Sequence, residues 1–450
     1  MSGDTTVKTE QFVEVIGGTL AILSHETGEP VGPITPIGAD PCVIGRGKHC
    51  QLSLEDSRVS TSHCVLVATE RGIRVTDLGS TNGTFVHQVR LETRNAVYLK
   101  ADARLRCGHT WLALRFAGKA QVPIAPTSVF GPLVGGSSAM RRIYAQLAKV
   151  ARHDLNVLVT GETGTGKELV AQSIHGASRR RGGPLVVVDC TTIPPSLAES
   201  MLFGHERGAF TGAVARQASP FVTARAGTLF FDELGELPAE IQPKLLRALE
   251  SREIQPVGAA RPQPIDVRIV AATRRNLHAE MNAQRFRNDL YYRFAQVVVD
   301  LPPLRDRVED IPQLVASLFA KIGDPGAIGR IDKPTMDRLM RHEWPGNVRE
   351  LRNVLVAAHA QSDGGPIEVT ELLSARPAVE GSASSPARRA FPVLKRELLD
   401  GLERDYFARL HAETGGSLSE MARQSGLSRT TVREYLERHA LRSPGDPELK

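Results

Sequence analysis

The sequence has little that would staple or anchor it. Its five cysteines (Cys42, Cys50, Cys64, Cys107 and Cys190) are scattered through 450 residues with no metal-like spacing. An odd, unpatterned count fits a reducing compartment rather than a disulfide framework, and small buried thiols are the simplest reading of all five. No apolar run reaches the length a bilayer crossing needs. The opening residues, MSGDTTVKTEQ, are polar and carry no secretory signal. These absences place the protein in the cytoplasm. One-sided charge is missing too. The net charge is +6, but residues 1–118 carry 12 Lys/Arg against 12 Asp/Glu and residues 391–450 carry 10 against 10. The excess, 34 against 28, sits in residues 119–390. Nucleic-acid contact at either end would therefore be a local patch rather than a field of the whole chain.

The length suggests roughly three domains, organised around Asn156 to Ile174, NVLVTGETGTGKELVAQSI. Val157 to Val159 read as a buried strand, and residues from Glu168 to Ile174 as a helix start. Between them lies the loop Gly161, Glu162, Thr163, Gly164, Thr165, Gly166, Lys167. Strand, glycine loop and helix is the context of a phosphate-binding loop. Glycines let backbone N–H groups turn toward an anion, the helix N-terminus adds its dipole, and Lys167 supplies a mobile charge. The general pattern places Ser or Thr after the lysine; here it is Glu168. Downstream, the apolar run Gly227 to Phe231 ends in Asp232 and Glu233. Alone, such a pair ends many solvated strands. After a phosphate loop it reads as catalytic, with Asp232 suited to hold Mg²⁺ and Glu233 to polarise an attacking water. ATP and Mg²⁺ are the implied cofactors.

Residues 13–117 alternate short apolar runs with turns, which predicts a β-sandwich. Three polar loops punctuate it: Gly45-Arg46-Gly47, Val59 to His63, and Leu78 to Thr84. In this order they resemble a forkhead-associated (FHA) domain. The likeness implies phosphothreonine-peptide recognition, with Arg46, Ser60 and Thr61 on the phosphate, Thr81 and Asn82 on the peptide, and His63 bracing the loops. Residues 1–12 read as a tail and 118–129 as a linker.

From Phe130 strands and helices alternate, predicting an α/β sheet with a nucleotide at its strand ends. Met140 to Ala151 reads as an amphipathic helix, and Leu185 to Asp189, Thr228 to Phe231 and Val267 to Ala272 as strands. Between the nucleotide motifs lies Gly208-Ala209-Phe210-Thr211-Gly212-Ala213, one aromatic among small residues in a mobile contact loop. With this GAFTGA stretch, residues Val129 to Leu373 resemble the AAA+ domain of bacterial sigma-54 enhancer-binding proteins, in which Glu168 is usual. The resemblance implies sigma-54 contact by the 208–213 loop, led by Phe210 and Thr211. It also implies trans arginines at Arg287 and Arg293 that require a ring, probably hexameric, with Arg349 and Thr273 as nucleotide sensors. A helical lid would begin near residue 303 and the domain would span 130–375. The family commonly has Asn at position 189; Asp189 would repel Glu233 rather than restrain it. Arg274-Arg275 is a second departure, from a frequent Asn-Arg.

Residues 376–391 read as a flexible linker. Leu394, Leu398, Leu402, Tyr406 and Leu410 mark one helix face. Two helices joined at Ser425-Gly426-Leu427 follow, the second from Ser428 to Arg438, with 444–450 as a tail. Residues 392–443 closely resemble a Fis-type helix-turn-helix DNA-binding domain, implying contacts from Arg429, Thr430, Thr431 and Arg433. The fold class is thus multidomain: β-sandwich, α/β P-loop ATPase with helical lid, and all-α helix-turn-helix. The implied function is an FHA-regulated, ATP-hydrolysing sigma-54 transcriptional activator whose partners are sigma-54 RNA polymerase, upstream DNA, a phosphothreonine protein and its own copies. The competing function is a phosphopeptide-binding scaffold or repressor whose ring no longer drives sigma-54.

Overall fold

The computed structural model describes residues 11–24, 27–92, 96–210 and 213–374, and toward the C-terminus residues 407, 410, 411, 414 and 417–438. It divides into two compact units, residues 1–373 and 374–450.

The first unit begins with a β-sandwich. Its strands are β1 (Gln11–Leu23), β2 (Pro30–Ile37), β3 (Cys42–Gly45), β4 (Leu52–Ser53), β5 (Cys64–Thr69), β6 (Gly72–Asp77), β7 (Thr84–Val86), β8 (Val89–Arg90), β9 (Ala96–Leu99), β10 (Ala103–Cys107) and β11 (Thr110–Ile124). One sheet runs β2-β1-β11-β10-β7-β8 and the other β4-β3-β5-β6-β9. Alternate residues of both sheets, among them Leu20, Ile44, Leu66, Val75, Leu105 and Leu112, are buried together between them, as period-2 strands require. All five cysteines are buried thiols.

The expected linker at 118–129 is strand through Ile124. β1 and β11 pair antiparallel from Gln11↔Ile124 to Leu23↔Trp111, with a bulge between Ile16 and Gly18. Gly118 to Ile124 pack little apolar surface, so the sequence shows no hydrophobic signal there. Their order comes from backbone pairing with β1, whose partner strand lies a hundred residues away in sequence.

After β12 (Val129–Phe130) and β13 (Leu133–Val134), α1 (Ser138–Ala151) leads to β14 (Val157–Thr160) and α2 (Lys167–Gly176). Then come β15 (Leu185–Asp189), α3 (Ala198–Phe203), α4 (Pro220–Thr223), β16 (Thr228–Asp232), α5 (Gln242–Ser251), β17 (Glu253–Ile254), β18 (Gln263–Pro264), β19 (Arg268–Thr273), α6 (Leu277–Asn282), α7 (Asn288–Phe294) and β20 (Val297–Asp300). The main sheet is parallel, in the order β15-β16-β19-β14-β20. Its central strands are buried on both faces: Val157, Val159, Leu229, Phe230, Phe231, Ile269 and Val270 are all 0% exposed. That is why they read as continuous apolar runs rather than alternations. Because β14 sits between β19 and β20, the phosphate loop and the acids ending β16 emerge on one edge. The buried Arg268 guanidinium donates to the carbonyls of Val150 and Ala151, satisfying the C-terminus of α1.

Helices α8 (Ile311–Ile322), α9 (Lys333–Arg341), α10 (Asn347–Ser362) and α11 (Thr370–Ser374) form a lid with its own core around Trp344, Phe319 and Leu351. Asp310 ties lid to sheet domain. Its carboxylate accepts from Ser137 N–H at 2.6 Å and Ser137 Oγ at 2.8 Å, and Ser137 in turn caps α1.

In the second unit, α12 (Leu418–Ser425) and α13 (Arg429–Arg438) are joined by Gly426, which takes φ +71°. Ser428 Oγ accepts from Thr431 N–H at 3.1 Å and caps α13. Phe407, Leu410, Met421, Val432 and Leu436 make the core. Of the expected apolar helix face, Leu394 to Tyr406 lies outside the described residues.

Candidate functional site

A cleft of about 430 Å³ opens between the sheet edge and the lid. It is lined by the polar Thr163 to Glu168, Asp232, Glu233, Arg349 and Arg352 and by the apolar Leu133, Val134, Leu314, Leu318 and Ile322. Polar and apolar walls in one groove suit a phosphorylated base. The loop is held open for an anion. Gly164 and Gly166 take φ +80° and +107°, which side chains rarely adopt. Among the described residues, the backbone N–H groups of Gly164, Gly166, Lys167 and Glu168 meet no acceptor. These unpartnered donors at the start of α2 are what a phosphate chain would fill.

Lys167 is 7% exposed, and its Nζ donates to the carbonyls of Gly161 and Glu162 at 3.0 and 3.1 Å. Burial pulls its pKa down, so the ammonium gains when phosphate oxygens replace those carbonyls. Burial pushes the Asp232 carboxyl up, and the Glu233 and Asp189 charges add to that. Asp232 also accepts the Glu233 N–H at 3.0 Å. Glu233 takes φ +49°; its Oε1 lies 3.7 Å from Lys167 Nζ and its Oε2 accepts the backbone N–H of Arg274 at 2.9 Å.

Two arginines and an asparagine join lid to loop. Arg305 pairs with Glu162, holding that carboxyl below its usual range. Arg307, 2% exposed, donates to the Thr165 carbonyl at 3.0 Å, and its Nε has no partner. Asn347, 0% exposed, donates to Glu162 Oε2 and the Thr163 carbonyl and accepts the Leu304 N–H. No motif in the sequence singled out Arg307; its signal is only its place beside the Leu301 to Arg305 crossing.

Residues 133–300 match the sigma-54 interaction domain and residues 305–388 the AAA+ ATPase lid domain. The transcriptional regulatory protein ZraR of Escherichia coli K12 is 42% identical over 324 residues, covering 71% of this chain and 71% of that protein. The chain belongs to the sigma-54-interacting family of transcriptional regulators. The DNA-binding transcriptional regulator NtrC of Azospirillum brasilense is 45% identical over 282 residues, 62% of this chain and 58% of that one. The structure of NtrX from Brucella abortus in complex with ATP aligns at a TM-score of 0.51 with 32% identity, over 68% of this chain and 69% of NtrX. Residues 27–118 match a family described as the cytoplasmic domain of an inner membrane component of T3SS. Among the described residues, no helix is long and apolar enough to cross a membrane.

Several sites of this sigma-54-family regulator stand differently from their sequence reading. Asp189 has one carboxylate oxygen engaged within its own turn. Its Oδ1 turns back to accept Thr191 N–H and Oγ1 at 2.9 and 2.7 Å, capping the turn after β15. Thr273 is wholly buried and does not line the cleft; its Oγ1 accepts Arg275 N–H. Gly161 and Glu162 lie behind the loop rather than on the cleft wall. The Glu168 carboxylate is exposed and accepts from Gln172. Arg287 and Arg293 are remote from the cleft of their own chain. Arg287 is 48% exposed at its side chain and paired to Asp289 at 2.7 Å, as an arginine offered outward would be. Gln242, which no sequence signal marked, fixes that turn: buried, it accepts Arg287 N–H at 2.9 Å and donates to the Arg285 carbonyl.

In the 208–213 loop, Thr211 and Gly212 lie outside the described residues. Gly208 N–H donates to the Ala213 carbonyl at 2.8 Å and closes the loop base. Phe210 is 38% exposed, its ring edge-on to His205 at 5.0 Å, so the aromatic is half folded back on its own domain.

The sandwich loops do converge. Ser60 Oγ accepts Thr81 N–H at 3.1 Å, Asn82 Nδ2 donates to the Arg58 carbonyl at 2.7 Å, and buried His63 accepts Ser60 N–H and bonds the Gly83 carbonyl. Arg46, Ser60, Thr61, Thr81 and Asn82 line one cleft of about 370 Å³. Arg429, Thr430 and Arg433 are exposed on the first turns of α13, with Thr431 half-buried.

Proposed function

We propose that this chain is an ATP-hydrolysing activator of sigma-54 transcription with a phosphothreonine-reading N-terminal domain. The cleft between phosphate loop and lid, lined by the loop with its four unpartnered N–H groups, by Lys167 and by the Asp232–Glu233 pair, carries the reading. The loop N–H groups and Lys167 bind the phosphates, the apolar lining takes the base, and Asp232 is the residue that would hold Mg²⁺, which would supply charge neutralisation when bound. Glu233 accepts a proton from the attacking water once its carboxylate leaves the Arg274 amide. Arg349 reads the nucleotide from the lid. Arg287 and Arg293, which their own cleft does not use, complete the site of a neighbouring copy, and this supports a ring. The half-exposed Phe210 loop is the contact to sigma-54. Arg429, Thr430, Thr431 and Arg433 meet upstream DNA. The three converging sandwich loops support the FHA reading, with Arg46, Ser60 and Thr61 on the phosphate and Thr81 and Asn82 on the peptide. The competing scaffold or repressor reading rests on Asp189 beside Glu233; against it stands the bond of one Asp189 oxygen to its own turn.

The test is transcription in vitro from a sigma-54 promoter with wild type, Lys167→Ala and Phe210→Ala. Lys167→Ala should lose nucleotide binding and transcripts together. Phe210→Ala should keep ATP turnover and lose open complexes. Transcription that persists in a folded Phe210→Ala protein rules out the contact-loop assignment.

A further inference from the structure

The three sandwich loops that read as a phosphothreonine site do not face open solvent. The segment α6–α7 of the same chain lies against them. Asn282 Nδ2, at the end of α6, donates to the Ser62 carbonyl at 3.0 Å. Gly79, at φ +76°, lets Ala279 approach so closely that a Cβ at residue 79 would lie 2.5 Å from the Ala279 Cβ. The His49 and Tyr292 rings meet at 5.0 Å. Two of the three loops, and the turn that follows the first, thus each give one contact to α6–α7. A second patch, from β6, β9 and the β5–β6 turn at the edge of the same sheet, fixes the angle: Arg74 pairs with Asp300 at 2.8 Å, and Asp306 takes Arg71 and Tyr98.

The cleft that holds Arg46, Ser60, Thr61, Thr81 and Asn82 is therefore closed on one side by Met281, Asn282, Gln284 and Asn288. No side-chain hydrogen bond or ion pair engages the Arg46 guanidinium among the described residues, so the phosphate end stands ready. A phosphorylated side chain fits about 370 Å³. An extended peptide needs room on both sides of its phosphothreonine, and α6 fills one of them. Arg287 sits between Gln284 and Asn288, on the segment that forms this wall.

We propose that the phosphopeptide face of the sandwich is an intramolecular clamp on the α6–α7 segment. A phosphothreonine segment and the docked α6–α7 then compete for the same three loops. Binding of the phosphothreonine segment frees the edge that offers Arg287 to a neighbouring copy. This rests on the FHA reading above and gives its regulation a sign: phosphothreonine binding relieves a restraint.

The test uses the full chain. A phosphothreonine peptide with degenerate flanks, its unphosphorylated twin and free phosphothreonine are titrated by calorimetry, and basal ATP turnover is measured alongside. Ala279→Gln places bulk against Gly79 without adding charge. If nine-tenths of the wild-type chain is clamped, its apparent affinity is lowered about tenfold, so Ala279→Gln should bind the phosphopeptide about tenfold tighter. Its basal turnover should rise and no longer respond to peptide. Free phosphothreonine, which needs no room beside α6, should bind both proteins alike. Asn282→Ala, which only removes the bond to Ser62, should move both readouts the same way by a smaller factor, and it carries the test if Ala279→Gln misfolds. Equal phosphopeptide affinity and equal turnover in wild type and both variants overturn the clamp and leave the FHA reading standing. Phosphopeptide binding that survives Arg46→Ala, or that is absent from every protein, overturns the FHA reading and the clamp with it.

Discussion

Asn347→Ala should uncouple lid from phosphate loop. The residue is wholly buried at φ +53°, where asparagine is tolerated and alanine strained. Its Oδ1 accepts the Leu304 N–H at 2.7 Å; its Nδ2 donates to Glu162 Oε2 at 3.1 Å and to the Thr163 carbonyl at 3.0 Å. Leu304 is 0% exposed, so its stranded N–H costs about 1–3 kcal/mol, and the charge-assisted bond to Glu162 is worth about 1.5–3 kcal/mol. The left-handed conformation adds about 1–2 kcal/mol for alanine. Because the terms share one site and Arg305 still holds Glu162, they do not add fully, and about 3–5 kcal/mol is the net expectation. Trp344 reports it: the indole is buried in the lid, its Nε1 donating to the Leu339 carbonyl at 2.7 Å. Urea unfolding followed by Trp344 emission, in a Trp111→Phe background, gives the loss directly. Nucleotide affinity should fall as well, because the Gly346 carbonyl packs directly on Gly164. Asn347→Asp keeps the acceptor for Leu304 but sets a carboxylate against Glu162, so it should fall between wild type and alanine. A loss under about 1 kcal/mol with unchanged nucleotide affinity would refute the idea that this side chain joins the two domains.

Arg287→Ala should stop hydrolysis while sparing nucleotide binding, and mixing it with Lys167→Ala should restore part of the turnover; no recovery in rings shown by mass spectrometry to be mixed counts against trans arginines. Burial pushes the His278 pKa down to about 4, so the unfolded chain binds the extra proton. Stability should therefore drop as pH falls from the ordinary histidine value near 6.5 toward 4, by up to about 3 kcal/mol, and His278→Gln should flatten that slope in denaturation measured across pH. Arg433→Ala should weaken binding to the upstream sites, by about 1–3 kcal/mol if it reads a base edge or by a shallower salt dependence if it meets phosphate; footprints unchanged across salt show that this face of α13 does not touch DNA.

The parallel sheet was legible because its strands are buried on both faces and so stand out as apolar runs, from Val157 to Val159 and from Leu229 to Phe231. β20 was not: Val297 to Val299 are as apolar as the run of β14, but this edge strand is followed by no glycine loop or acid pair that would mark it. The phosphate loop announces itself through glycines whose positive φ the fold requires. Its supports do not. Arg307, Gln242 and Asn347 act through backbone groups contributed by residues 43 to 184 positions away, and such pairings leave no local pattern. The β1–β11 extension failed as a sequence reading for the same reason. The contact of the sandwich with α6 lies deepest, because its signature is a missing Cβ at Gly79 and a single amide at Asn282.

Asp189 and Arg274 looked in the sequence like two unrelated departures, and the sheet brings them to strand ends on either side of β16. Residue 189 pairs in register with Asp232, one position short of Glu233. One oxygen of its carboxylate is taken up locally by Thr191, and its charge adds to that of Glu233 at Asp232. The restraint comes from the other side, from the backbone N–H of Arg274 just past β19. Any residue except proline supplies that donor. The restraint therefore does not need asparagine at 189, and it survives the Arg274 side chain being different from the family's usual Asn. The Arg274 side chain adds a longer ion pair to Glu233, at 3.9 Å, and Arg274 and Arg275 both grip Glu236 in the turn that follows. Turning Glu233 toward the cleft costs one charge-assisted amide bond, about 1.5–3 kcal/mol, while Glu236 and the two arginines keep the turn itself in place. A nucleotide that draws Lys167 away from Glu233 would remove a further part of the restraint, the 3.7 Å pair between them.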